Sequence, residues 1–138
     1  MATAVLCTGL LGLLLFGLGF GVSLTRGSTN KTSGYNPDPT DRLYKMVRAH
    51  GNTAEYAPML AVLMLFLGSR DPATWVLWVM GIATLSRYLI AVGIIVSPTL
   101  DKPHPLRFAG ALGTYLCGIV LCVVALLLVD LQKFILKG

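Results

Sequence analysis

Charged residues are scarce in this chain. Only 12% of its 138 residues are charged, whereas 55% are hydrophobic. A soluble domain of this length needs far more charge to cover its surface. The composition therefore predicts an integral membrane protein with a single domain, residues 1–138, in contact with membrane lipid.

Cysteine and histidine are also rare. Cys7, Cys117 and Cys122 are odd in number and lie in apolar runs, which does not suit a disulfide framework. His50 and His104 have no neighbours at zinc-binding spacing, so no metal site is expected. The net charge of +5 comes from basic residues near the ends of apolar runs, without a basic patch among exposed aromatics. No nucleic-acid partner is therefore predicted.

Long apolar runs make up most of the sequence. A run of about 20 apolar residues crosses the ~30 Å hydrocarbon layer as a helix. The pattern predicts an all-α, integral membrane four-helix bundle with spans at about 3–25, 42–68, 72–96 and 106–130. A cleaved signal peptide is the alternative for the first span, but that span lacks a basic start and is too long.

Local signals refine these helices. Gly17 and Gly21 are spaced for close approach of a second helix. Thr40 or Asp41 is expected to cap the second helix. Pro58 interrupts the hydrogen bonding within that helix.

The second helix begins with a polar stretch. Arg48, Asn52 and Glu55 fall within about 60° of one another on a helix, and Tyr56 borders them. Glu55 is the only glutamate of the chain and lies inside an apolar span. An unpaired carboxylate there costs a few kcal/mol. Two interpretations remain open: an ion pair that locks helices together, or a polar pocket for a zwitterionic or anionic ligand.

Antiparallel packing brings further polar residues to the same membrane face. The end of helix three contributes Arg87 and Tyr88, and the start of helix four contributes Arg107. A cation at a helix start opposes the helix dipole, and an anionic ligand or thiolate would explain it. The loops on this side carry Arg26, Lys31, Arg42, Lys45, Lys102 and Arg107, against Arg70, Lys133 and Lys137 opposite. The positive-inside rule therefore predicts a site facing the cytoplasm, with both termini outside.

These residues resemble the MAPEG family. The resemblance rests on Arg48-Ala49-x-x-Asn52-x-x-Glu55-Tyr56-x-Pro58, then Arg87-Tyr88, then Arg107, and it covers nearly the whole chain. The family comprises membrane-associated proteins of eicosanoid and glutathione metabolism, including microsomal glutathione transferases and prostaglandin and leukotriene synthases. The resemblance implies a homotrimer that binds glutathione between adjacent subunits, near the cytoplasmic face.

The family pattern also implies residue roles. It assigns glutathione binding to Arg48, Asn52, Glu55, Tyr56, Arg87, Tyr88 and, at the end of helix one, Arg26. It assigns the catalytic role to Arg107, which would face the thiol. A free thiol has a pKa of about 8.5, and a nearby fixed cation favours the nucleophilic thiolate. A lipophilic second substrate is expected to arrive from the bilayer between helices one and four.

Two departures narrow the expected activity. Val92 stands where family synthases often have a second tyrosine, and Phe108 where the prostaglandin-type branch has a serine. The resemblance therefore favours a glutathione transferase or peroxidase-like enzyme, in the endoplasmic reticulum or a bacterial inner membrane. The alternatives are a non-enzymatic lipid-binding scaffold of the same family and a small proton- or cation-coupled transporter subunit that uses Glu55.

Overall fold

The chain folds into helices joined by short loops. A computed structural model describes residues 1–30 and 32–136, with side chains up to residue 128. Within that part, four helices form: α1 (Ala2–Ser28), α2 (Arg42–Gly68), α3 (Thr74–Val96) and α4 (Pro105–Leu136). The predicted all-α class is confirmed. Lys31 and the side chains of Lys133 and Lys137, which entered the topology argument, lie outside the described residues.

Among the described residues, three helices are long and apolar enough to cross a membrane. These are α1, α3 and the segment Pro105–Leu128 of α4. The remaining helix, α2, has the same 27-residue length as α1. However, its first half carries the polar stretch, which makes it less apolar than the others. The polar residues of interest are therefore concentrated on the least apolar helix.

The two central helices are α2 and α3. Helix α1 packs on α2 and α3, and α4 packs on α3 and α2, whereas α1 and α4 do not contact each other within the described residues. The fully buried core includes Leu11, Met64, Leu67, Met80 and Leu121. Helices α2 and α3 therefore lie between α1 and α4 in a single chain. The path for a lipophilic substrate between helices one and four stays a prediction.

Two glycines of α1 leave room for side chains of α2. A Cβ atom added at Gly21 would lie 2.5 Å from Cε of Met46, and one at Gly19 would lie 3.2 Å from Nε2 of His50. Gly17 has nothing within 4 Å of such an atom. The close approach predicted for Gly17 and Gly21 therefore involves Gly19 and Gly21 instead.

Helix α2 begins as predicted. The Asp41 side chain accepts a hydrogen bond from the Tyr44 N–H at 2.8 Å, which confirms it as the cap. This bond satisfies one of the free N–H groups at the helix start. Pro58 lies inside α2 without ending it.

Two loops meet at the end of the bundle where α2 and α4 begin. The Leu100 N–H donates to the Pro39 carbonyl at 3.0 Å, and Nζ of Lys45 donates to the Pro98 carbonyl at 3.1 Å. Nearby, Asp38 accepts from the Thr40 N–H and hydroxyl. Both bonds favour the charged carboxylate and lower the pKa of Asp38.

The segment 97–104 is hereafter called the α3–α4 loop. The bonds to the carbonyl oxygen of Pro98 and from the N–H of Leu100 attach this loop to the rest of the protein.

Candidate functional site

Arg87 is a buried cation that joins α3 to α2. Its side chain is only 1% exposed. Nη2 donates to the main-chain carbonyl of Asn52 at 2.9 Å and to its side-chain Oδ1 at 2.7 Å. Its Cζ lies 5.2 Å from the centre of the Tyr56 ring, in cation–π contact. Such partners are what a buried guanidinium requires. They fix Asn52 in place on α2.

A cavity of about 350 Å³ lies beside Asn52, between α2, α3, α4 and the α3–α4 loop. Its polar lining consists of Arg48, Asn52, His104 and Arg107, and we call it the cationic cavity. Helix α3 contributes only apolar side chains to its wall. The cavity lies where α2 and α4 begin and α3 ends, so the antiparallel arrangement produces the convergence of Arg48, Asn52 and Arg107.

Arg107 is held at the start of α4 from two sides. Its Nη1 donates to the carbonyl oxygens of Leu100 and Lys102, each at 3.1 Å. On the other side, the α4 backbone packs closely against Gly93 of α3. A Cβ atom added at Gly93 would lie 2.8 Å from the backbone nitrogen of Arg107. A guanidinium has five N–H donors, and the two loop bonds use one of its nitrogens. Arg107 is therefore positioned by the protein before any ligand binds.

Glu55 and Tyr56 line a second groove, between α2 and α4. This groove has a volume of about 600 Å³ and is mostly apolar, with Tyr115 on its α4 side. The hydroxyl oxygens of Tyr56 and Tyr115 lie 3.4 Å apart, and we call this the tyrosine groove. Glu55 is exposed on its own chain. The buried Arg87 is thus held by the amide and carbonyl of Asn52, while Glu55 is exposed at the groove.

Tyr88 and Arg26 lie away from the cationic cavity within one chain. The Tyr88 hydroxyl donates to the Leu10 carbonyl at 2.9 Å, so this side chain faces α1. Arg26 donates through Nη1 to the Thr32 carbonyl at 3.3 Å, just past the end of α1. Successive helical residues point about 100° apart, so Arg87 and Tyr88 cannot both face α2. A glutathione-binding role for Tyr88 and Arg26 stays a prediction.

Comparison with known proteins identifies the family. The MAPEG family profile matches residues 4–127, which include the whole cationic cavity. The chain belongs to the MAPEG family. This match confirms the resemblance drawn from the sequence and supports a membrane protein of that family.

Curated relatives of this MAPEG protein match over a shorter stretch. The inner membrane protein YecN of Escherichia coli (strain K12) is 36% identical over 56 residues, and the same holds for YecN of Escherichia coli O6:H1. The match covers 41% of this chain and 43% of each relative, so it spans less than half of their length. Their name places them in an inner membrane and states no activity. No solved structure matches the chain significantly.

The structure of this MAPEG protein adds one residue to the predicted set. The sequence offered no companion for His104, but the fold places it in the cationic cavity with Arg48 and Arg107. Its Nδ1 is buried and makes no hydrogen bond within the described residues. The sequence signal was its position three residues before Arg107, between two prolines, at the start of α4.

The cationic cavity of this MAPEG protein suits a small anion. Its volume falls within the range of small-molecule sites, about 300 to 1,000 Å³. Guanidinium groups bind carboxylates through paired hydrogen bonds and stabilise a nearby thiolate electrostatically. Within the described residues, no three His, Cys, Asp or Glu side chains lie close enough together to hold a metal ion.

Proposed function

We propose that this MAPEG protein is a membrane-bound glutathione transferase or peroxidase-like enzyme. It activates the thiol of glutathione for attack on a lipophilic electrophile or hydroperoxide. The observation that supports this proposal is the cationic cavity, where Arg48 of α2 and Arg107 of α4 meet beside Asn52. By the positive-inside argument, the cavity is proposed to face the cytoplasm.

The cavity chemistry fits the parts of glutathione. Glutathione has two carboxylates, one ammonium and one thiol. Arg48 is proposed to bind a carboxylate, and Asn52 is proposed to hydrogen-bond the peptide. Glu55 is proposed to bind the ammonium. Glu55 is exposed on its own chain, and it is proposed to contact a ligand held between subunits of the proposed homotrimer.

Arg107 is proposed to stabilise the thiolate. A free thiol is mostly neutral at neutral pH because its pKa is about 8.5. A fixed guanidinium beside the sulfur favours the charged form, which is the nucleophile. Arg107 suits this role because its backbone packs against Gly93 and the α3–α4 loop holds its side chain.

The lipophilic partner is proposed to bind in the tyrosine groove. Its walls are apolar, and the hydroxyls of Tyr56 and Tyr115 provide a polar end. This groove also favours a second candidate function, a non-enzymatic lipid-binding scaffold of the same family. The two functions differ in whether glutathione binds.

A glutathione titration of the detergent-solubilised protein tests the proposal. We expect saturable heat release together with the ultraviolet absorbance of a thiolate. S-methylglutathione is the matched control, because it has the same carboxylates and no ionisable thiol; it is expected to bind without the absorbance change. Saturable binding of a fatty acid without binding of glutathione would instead support the scaffold function.

A further inference from the structure

The cationic cavity and the tyrosine groove are neighbouring sites along α2 and α4. On α2, Asn52 lines the cavity and Tyr56 lines the groove. On α4, Ala111 lines the cavity and Tyr115 lines the groove. Each of these pairs is separated by one helical turn, which is about 5.4 Å along the axis. A molecule in the groove therefore lies about one turn away from a molecule in the cavity.

The α4 side of this arrangement leaves space between its two polar residues. Arg107 and Tyr115 are two turns apart, and Ala111, with only a methyl group, stands between them. A sulfur at the level of Ala111 is thus about one turn from each. The Cα–Cβ bonds of a helix tilt toward its N-terminus, so the bond of Tyr115 tilts toward the cationic cavity.

Tyr115 and Tyr56, hereafter the tyrosine pair, have a hydroxyl proton to spare. Their oxygens lie 3.4 Å apart, longer than the usual length of about 2.7 to 2.8 Å for a bond between hydroxyls. Two hydroxyls carry two protons, and only one of these can lie between the two oxygens. The tyrosine pair makes no other hydrogen bond within the described residues. The second proton is therefore available to a ligand.

The other polar residues of the groove are poor donors. The Thr114 hydroxyl already donates to the Gly110 carbonyl at 2.8 Å. An ionised Glu55 only accepts, and the thiol of Cys122 is a weak donor. The tyrosine pair therefore supplies the strong hydrogen-bond donor of this groove.

Within the tyrosine pair, Tyr115 is the residue better placed to meet a ligand. Its side chain is 49% exposed, whereas Tyr56 is partly buried. Tyr56 is held from behind by Arg87, whose Cζ lies 5.2 Å from the centre of its ring. The two tyrosine rings are 5.7 Å apart and tilted by 60°, a favourable aromatic contact. Arg87 and Tyr56 thus support Tyr115 from one side and leave its other side to the groove.

We propose that Tyr115 protonates the oxygen that leaves when the sulfur of glutathione attacks a lipophilic hydroperoxide in the tyrosine groove. This inference rests on the proposed function. The sulfur anion attacks the terminal oxygen, an S–O bond forms, and the O–O bond breaks with its electron pair on the inner oxygen. That alkoxide takes the Tyr115 proton and leaves as an alcohol. The phenolate regains from solvent the proton that the thiol released, and a second glutathione converts the sulfenic acid to the disulfide and water.

The leaving group decides whether this proton is needed. An alkoxide is a strong base, and in an apolar groove little water is present to stabilise its charge. A donor placed where the charge develops therefore lowers the barrier. Chloride is a weak base and leaves without a proton. Tyr115 is thus expected to matter for a hydroperoxide much more than for an alkyl chloride.

Two substrates of similar shape test this role in the full-length, detergent-solubilised protein. With glutathione, cumene hydroperoxide is converted to its alcohol and benzyl chloride releases chloride, and both products are measured. In Tyr115→Phe, we expect the ratio of hydroperoxide turnover to chloride turnover to fall about a hundredfold, the lower end of general-acid effects. Tyr35→Phe is the matched control, since Tyr35 stacks on Tyr44 and lines neither site. Its ratio is expected to equal that of wild type.

The outcomes separate this inference from the proposed function. If wild type binds no glutathione and converts neither substrate, the proposed function fails and the role of Tyr115 fails with it. If wild type converts benzyl chloride but not the hydroperoxide, only the role of Tyr115 fails. An unchanged ratio in Tyr115→Phe would also overturn that role. So would an equal loss with both substrates, because a packing defect does not distinguish between leaving groups.

Discussion

At the scale of single residues, Arg87 is among the largest fully buried side chains of the bundle. A cation in such a place needs strong hydrogen-bond acceptors, and both observed bonds go to Asn52. Asn52 therefore has two tasks: it accepts both hydrogen bonds from Nη2 of Arg87, and it lines the cationic cavity.

The Arg87–Asn52 contact can be tested through stability. Asn52→Ala removes Oδ1 and leaves only the main-chain carbonyl for Arg87, so we expect a loss of about 1.5 to 3 kcal/mol, typical of a hydrogen bond to a charged group. Asn52→Asp keeps the acceptor and is expected to be the more stable variant. Thermal unfolding in detergent measures both. Equal midpoints for the two variants would show that Oδ1 does not hold Arg87.

The substitution Arg107→Ala is expected to separate glutathione binding from formation of its thiolate. We expect glutathione to bind still, through Arg48 and Asn52, but the thiolate absorbance to disappear because the fixed cation is gone. Arg70→Ala is the control; Arg70 lies in the turn at the opposite end of the bundle and stacks on Phe66. An unchanged thiolate signal in Arg107→Ala would remove Arg107 from the chemistry.

At the scale of helices, the apolar runs and the cap at Asp41 predict the elements well, because both signals are local. The convergence of Arg48, Asn52 and Arg107 follows from antiparallel order alone. The direction of Tyr88 does not follow, because it depends on how α3 is rotated between α1 and α2. The burial of Nδ1 of His104 depends in the same way on the path of the α3–α4 loop.

Contact between α3 and α4 depends on Gly110. An added Cβ there would lie 2.5 Å from the Ile90 nitrogen and 2.7 Å from the Ser86 carbonyl oxygen, and backbone cannot give way as a side chain does. We expect Gly110→Ala to destabilise the protein by about 1 to 3 kcal/mol, as overpacking does.

Gly118→Ala is the matched control on the same helix. Its Cβ would meet only Cδ2 of Leu60, at an ordinary 3.8 Å. We expect it to be neutral or stabilising, since alanine favours a helix over glycine by about 1 kcal/mol. Thermal unfolding of both variants in detergent provides the comparison. Similar midpoints would mean that α4 does not approach α3 so closely.

At the scale of the whole molecule, some elements that were predicted to form one site do not meet within a single chain. Helices α1 and α4 do not contact each other within the described residues, and Glu55 is exposed on its own chain. The element proposed to bring them together is a homotrimer with glutathione between its subunits. A sequence shows which residues are polar, but whether they face their own chain or a neighbour depends on the assembly.

The assembly is measurable directly. We expect native mass spectrometry of the detergent-solubilised protein to give three copies of the chain. Chemical crosslinking in native membranes is the independent check, because it does not depend on detergent. A protein that stays monomeric in both measurements would show that the site must be complete within one chain.

The substitution Glu55→Gln tests whether Glu55 contributes to glutathione binding between subunits. The substitution keeps the shape and removes the charge, so we expect glutathione affinity to fall about tenfold through loss of one charged hydrogen bond. Asp71→Asn is the control; Asp71 lies in the turn at the other end of the bundle and has a φ of 50°, which asparagine tolerates. Titration calorimetry measures both variants. Equal affinity in Glu55→Gln would limit Glu55 to packing.

The bonds from Arg107 to Leu100 and Lys102 carry a last consequence. The guanidinium proposed to meet the sulfur also anchors the loop beside the cavity. Because those two bonds use only Nη1, the proposed sulfur anion is expected to meet the remaining N–H donors without displacing either carbonyl oxygen. The α3–α4 loop is therefore expected to keep its place whether the cavity is empty or filled.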